Sequence, residues 1–224
     1  MTNMIRKLAD KLFINRIKVH RKQKIFCIGL NKTGTTSVNA AWHELGIIVG
    51  DEYSAKKLFD PWREGNFNPI INYCKSAQAF QDSPFSFPET YKALDKAFPG
   101  SKFILTVRDD AEQWYSSITR FHAKMWGQGR IPTKADLMNA VNGYKGRPWL
   151  VNRALFGTPE NDPYNKDILI NFYAKYNLDV KTYFAGRSND FLVLNLKDKN
   201  SYKTFCHFIN EVPIGEDFPW KNKT

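Results

Sequence analysis

The stretch "KIFCIGLNKTGTTSVNAAWHEL", residues 24–45, constrains the fold of this chain more than any other. Its first part, 24–30, is a short apolar run bounded by charge and a loop, the pattern of a strand buried in a parallel sheet. Its last part predicts a helix with Val38, Ala41, Trp42 and Leu45 on one face, ended by Gly46. Between them, Gly29 and Gly34 keep the glycine spacing of the phosphate loop G-x-x-x-x-G-K-[ST]. The lysine departs from that pattern: Thr35 follows Gly34, and Lys32 stands inside the loop.

A loop of this kind at a helix N-terminus can direct the backbone N–H groups of Asn31 to Thr36 at one anion, assisted by the helix dipole. Gly34 permits close approach of the backbone, Thr35, Thr36 and Ser37 offer hydroxyls, and Lys32 adds a mobile cation. In magnesium-dependent nucleoside triphosphatases the lysine after the second glycine reaches the β- and γ-phosphates. A lysine inside the loop would instead lie beside the terminal group of a shorter phosphate compound.

The remaining pattern alternates strands and helices. "AQAFQDSP" (77–84) predicts a short strand ending in a turn at Pro84, "KFILTV" (102–107) is the clearest strand, and "FLVLNL" (191–196) is another. Helices are predicted over 87–100, 109–126, 163–186 and 201–210. Residues 54–76 read as mostly helical, broken near Pro61, Gly65 and Pro69. The expected fold is α/β, a three-layer P-loop fold with a central, mainly parallel sheet flanked by helices. The irregular stretch 127–163 is expected to be a helical insertion or lid shaping a second pocket within one domain of 24–222.

The net charge of +11 invites a nucleic-acid reading, but its distribution argues against one. Residues 1–24 carry eight Lys or Arg against one acid, Asp10, so the other 200 residues carry only +4. That suits an enzyme for an anionic small molecule. Cys27, Cys74 and Cys206 lack disulfide or zinc spacing, which favours a reducing, cytoplasmic setting. No apolar run is long enough to cross a bilayer. Ile5, Leu8 and Leu12 form a short stripe in the basic segment, readable as a helix packed on protein or as peripheral membrane contact through 1–22.

"NKTGTTS" resembles the 5′-phosphosulfate loop of sulfotransferases that use 3′-phosphoadenylyl sulfate (PAPS), typically [PN]-K-[ST]-G-T-[TS]. The family's second element is a strand ending in Arg with a Ser eight residues on. "FILTVRDDAEQWYSS" supplies Arg108 and Ser116, which the resemblance implies grip the 3′-phosphate, with Ser117 on another helix face. The alternative is that Arg108 pairs with Asp109 or Asp110 while Ser116 is merely exposed. "FPGSKFILTVRDDAEQWYSS", "FLVLNLKD" and "FCHFINEVPIGEDFP" extend the resemblance over 24–222. The G-x-x-G-D-W-K segment of the cytosolic animal enzymes is absent, and Lys221 and Asn222 are its candidate substitutes.

The resemblance implies sulfuryl transfer from PAPS to an acceptor hydroxyl by in-line displacement without a metal. It assigns PAPS binding to Asn31, Lys32, Thr33, Gly34, Thr35, Thr36, Ser37, Arg108 and Ser116. Catalytic roles fall to Lys32, serving the leaving phosphate, and to Asp82, which stands at the His-x-Pro position as base. Asp82 as a turn cap is the alternative. His20, His43, His122 and His207 are expected to be structural or exposed. Trp42, Trp62, Phe85, Trp126 and Trp149 are candidates to line a pocket for a small-molecule, lipid or glycan acceptor. Two rivals stand beside this reading. A P-loop kinase requires lysine after Gly34 and an acidic magnesium ligand. A basic nucleic-acid or membrane binder leaves Lys32, Arg108 and Ser116 without a purpose.

Overall fold

The computed structural model describes residues 14–219. The stripe of Ile5, Leu8 and Leu12 and the candidates Lys221 and Asn222 lie outside them. Residues 14–19 are helical (α1), with Ile17 exposed and Val19 buried.

Four parallel strands make the central sheet in the order β2-β1-β3-β6: β1 Ile25–Cys27, β2 Ala79–Phe80, β3 Lys102–Val107 and β6 Phe191–Asn195. Side chains of successive strand residues point to opposite faces, and both faces here are apolar. Phe26, Phe103 and Leu105 enter one core, while Ile25, Cys27 and Ile104 enter the other. The first core is covered by α6 (Thr90–Ala97), α7 (Ala111–Trp126) and α10 (Lys166–Tyr183), through Tyr91, Trp114 and Tyr176 among others. The second is covered by α2 (Thr35–Glu44) and α11 (Ser201–Phe208), through Trp42 and Phe205. Helix, sheet, helix is the three-layer α/β arrangement expected from the alternating pattern.

The helical stretch 54–76 is interrupted as expected, at the turn through Gly65, and its two prolines fall in the first turns of helices. Pro61 lies in the first turn of α4 (Phe59–Arg63), and Pro69 opens α5 (Asn68–Tyr73). A first-turn proline lacks only an N–H that has no helical partner there. Before them runs α3, Glu52–Lys56, capped by the Asp51 side chain on the Ser54 N–H at 2.7 Å. Residues 127–163 hold more order than their composition suggests: α8 (Lys134–Asn139), a hairpin of β4 (Val141–Asn142) and β5 (Tyr144–Lys145), and α9 (Arg147–Phe156). No described helix is long and apolar enough to cross a membrane.

Candidate functional site

The C-terminal ends of β1, β2, β3 and β6 open into one cavity of about 160 Å³, the usual position for a ligand on an open α/β sheet. Its wall includes every residue from Asn31 to Ser37, together with Asp82, Arg108, Asn195, Lys197 and Phe218. The loop's shape comes from two residues of positive φ, Lys32 at 72° and Gly34 at 106°. Gly34 is required twice over. Its backbone is left-handed, and a Cβ there would lie 2.6 Å from Leu196 Cδ2. Gly29 is needed for contact with β3, since a Cβ would collide with Thr106.

Among the described residues, the N–H groups of Lys32, Gly34, Thr35 and Thr36 find no hydrogen-bond acceptor. Four such donors at the start of a ten-residue helix make an anion cradle. The loop's carbonyls, by contrast, are tied down from behind. Trp114 Nε1 donates to the Asn31 carbonyl at 2.9 Å, and Arg108 Nε donates to that of Lys32 at 2.6 Å. Thr33 serves the same purpose. Its buried hydroxyl donates to the Leu30 carbonyl and meets Thr106 Oγ1, both at 2.6 Å, so this hydroxyl is occupied in holding the loop. Thr35 and Ser37 are buried and Thr36 is exposed.

Lys32 and Arg108 are half-buried cations with no carboxylate in salt-bridge range among the described residues. Lys32 Nζ rests 3.8 Å above the Phe121 ring. Burial, and then the Arg108 charge, lowers the Lys32 pKa; burial also lowers that of Arg108. An anion between them would reverse both effects. The neighbouring carboxylates are engaged elsewhere. Asp109 takes Lys197, Asn195 and Gln113, and Asp110 caps α7 through the Gln113 N–H at 2.7 Å. The pairing of Arg108 with either acid is therefore not what forms.

Ser116 is not in the wall of this cavity. It is exposed on α7 and faces a shallow depression with Arg120 and Lys124. Its neighbour Ser117 is buried, with a hydroxyl that has no partner. Eight residues past Arg108 is the second turn of α7, where a one-residue change rotates the side chain by about 100°.

A second cavity, about 270 Å³, adjoins the first. Leu30, Phe87, Ile118, Trp126, Val151 and Phe156 give it apolar walls, and α9 supplies much of one side. Of the five aromatics expected to line a pocket, Trp126 does so. Trp42 and Phe85 are fully buried in the two cores, Trp62 packs on Phe87 with its indole N–H on the Pro88 carbonyl, and Trp149 lies outside the wall. His122 also lines it, against the expectation of a purely structural or exposed histidine. Its Nδ1 shares a 2.8 Å hydrogen bond with the Tyr164 hydroxyl. Burial, with Lys32 nearby, drives its pKa down to about 3, so it is neutral at ordinary pH.

Asn31, Thr36, Glu52, Asp82 and Phe121 belong to the walls of both cavities and so form the junction between them. Asp82 stands there as the sequence suggests, at φ 62°, with Oδ1 accepting the Ser83 N–H at 2.8 Å. Glu52 is the residue that sequence reasoning missed. Its Oε1 accepts from Gln81 Nε2 and, at 3.3 Å, from Asn39 Nδ2. Burial, and then the Asp82 charge, raises its pKa. The signal available in sequence was weak, a single acid after a capping Asp51.

A family model described as a sulfotransferase domain matches residues 24–224. The chain belongs to the sulfotransferase family. The match begins at the strand that feeds the loop and takes in both cavities, so sulfuryl transfer is its general class of reaction. A search of curated proteins finds no match.

Proposed function

We propose that this sulfotransferase moves a sulfuryl group from PAPS to an acceptor hydroxyl, with the donor in the loop cavity and the acceptor in the apolar one. The observation that carries the reading is the pairing of four free loop N–H groups with two cations, Lys32 and Arg108, that lack a counter-carboxylate among the described residues. Such a site suits a bound phosphate and phosphosulfate. When bound, PAPS supplies the activated sulfuryl group.

Loop N–H groups of Lys32, Gly34, Thr35 and Thr36, with the Thr35, Thr36 and Ser37 region around them, would hold the 5′-phosphosulfate. Asn31 borders it at the junction, and Thr33 acts from behind by fixing the loop. Lys32 leaves the Phe121 face to neutralise charge on the departing phosphate. Arg108, with Ser116 on the exposed face of the next helix, is assigned the 3′-phosphate. At the junction Glu52 takes the acceptor proton, since burial and the neighbouring Asp82 charge raise its pKa. Asp82 is the like charge that keeps Glu52 basic. The acceptor oxygen gains the sulfur as the bond to the 5′-phosphate oxygen breaks, and the proton passes to Glu52.

Calorimetric titration tests the donor. Binding of 3′,5′-ADP in EDTA is expected, weakened by about 10- to 100-fold in Arg108→Ala, the range of a charge-assisted contact. Binding of ATP only with magnesium would sink the reading in favour of a kinase.

A further inference from the structure

We infer that the acceptor is an alcohol with an apolar body and an anionic group a few bonds from the accepting hydroxyl, and that Arg147 binds that group. This rests on the sulfotransferase reading of the junction and adds the substrate class.

Arg147 is only 3% exposed and lines the apolar cavity. Its hydrogen bonds all go to neutral oxygens. Nη2 donates to Ser83 Oγ at 2.7 Å and Nε to the Lys56 carbonyl at 3.2 Å, while Nη1 makes a long 3.5 Å contact with the Asn142 carbonyl. A guanidinium has five N–H donors and keeps its proton in proteins, so donors remain for a ligand. No described carboxylate lies within salt-bridge range of it. Burying a cation without a paired anion is costly, and a wall that needed only bulk would be served by an apolar side chain.

Position makes the group specific. Ser83, which holds Nη2, follows Asp82 directly in the chain, so the guanidinium stands beside the junction where the hydroxyl must react. Beyond it the walls are Leu30, Ile118, Trp126, Val151, Leu155 and Phe156. A volume of about 270 Å³ suits one small amphiphile better than a polymer chain.

The probe is 3-hydroxydecanoate, with methyl 3-hydroxydecanoate as its neutral twin. Each is titrated by calorimetry into the full chain saturated with 3′,5′-ADP, whose own affinity is measured in the same preparations. The acid is expected to bind about tenfold more tightly than the ester, one charge-assisted hydrogen bond's worth. In Arg147→Gln that preference should vanish while 3′,5′-ADP still binds. Arg147→Lys covers the case in which the glutamine variant does not fold, and it should reduce the preference by keeping the charge without the fork. Equal binding of acid and ester by the wild type, binding of neither, or an unchanged preference in the variants would overturn the inference. Loss of 3′,5′-ADP binding by the wild type would instead strike the donor reading.

Discussion

The two cavities share a wall but are built on opposite principles. The donor cavity is made from one contiguous loop, Asn31 to Ser37, whose backbone presents the ligand groups while side chains hold it from behind. The apolar cavity, the proposed acceptor site, draws its wall from positions as far apart as Leu30 and Tyr164. Backbone N–H groups recognise negative charge whatever molecule carries it, whereas a side-chain wall selects shape and the placement of one or two polar groups. Conserving a reaction while changing its acceptor therefore requires alteration of only one of the two.

The junction is where this contrast should break most sharply. Glu52→Gln is expected to lower kcat by about 10²- to 10⁴-fold, the usual range for a general base, with 3′,5′-ADP affinity unchanged. Asp82→Asn should act differently. A base works only when deprotonated, so a raised Glu52 pKa makes activity fail as pH drops through that raised value. Removing the Asp82 charge lets Glu52 stay ionised to lower pH, and the acid limb of the pH–rate profile should shift downward. If Asp82→Asn loses turnover at every pH, the base is Asp82.

A smaller effect should come from the loop itself. Gly34→Ala forces a residue with a Cβ to φ 106° against Leu196, a strain of about 1–3 kcal/mol. The expected result is 3′,5′-ADP affinity lower by about 5- to 150-fold, measured by calorimetry. An acceptor bound independently of nucleotide should hardly notice. Unchanged nucleotide affinity would show that the loop's shape is not what binds.

Trp114 joins the two regions, since its ring lines the acceptor cavity while its N–H holds the Asn31 carbonyl. Trp114→Phe keeps an aromatic stack on Tyr173 but loses a hydrogen bond worth about 0.5–1.5 kcal/mol. Nucleotide affinity should fall by about two- to tenfold, alongside a rise in acceptor KM. A change in acceptor KM alone would mean that the loop holds its shape without that bond.

The donor half was legible because its determinants are close in the chain. An apolar run, a loop with glycine at a position of positive φ and an amphipathic helix are each visible within about twenty residues, and Arg108 stands at the end of the clearest strand. Ser116 meets the spacing and is exposed on α7, outside the wall of the cavity that Arg108 lines. The acceptor half was scarcely legible. Five aromatics were candidates and only Trp126 lines the wall, because a Trp in a core and a Trp in a pocket share the same hydrophobic pattern. Glu52 and Arg147 carry no local signal, since nothing near them in the chain shows that Asp82 and Ser83 will arrive beside them.

By itself the sequence determined the parallel α/β framework and the anion-binding loop, because apolar runs, glycine conformation and helix N-termini are local physics, while the class of reaction came from the family resemblance. Only the tertiary structure decided which side chains meet at the junction of the two cavities. Desolvation and pairing depend on what α3, α7, α9 and β2 bring together, and those contacts raise the Glu52 pKa and leave Arg147 buried with no salt bridge among the described residues.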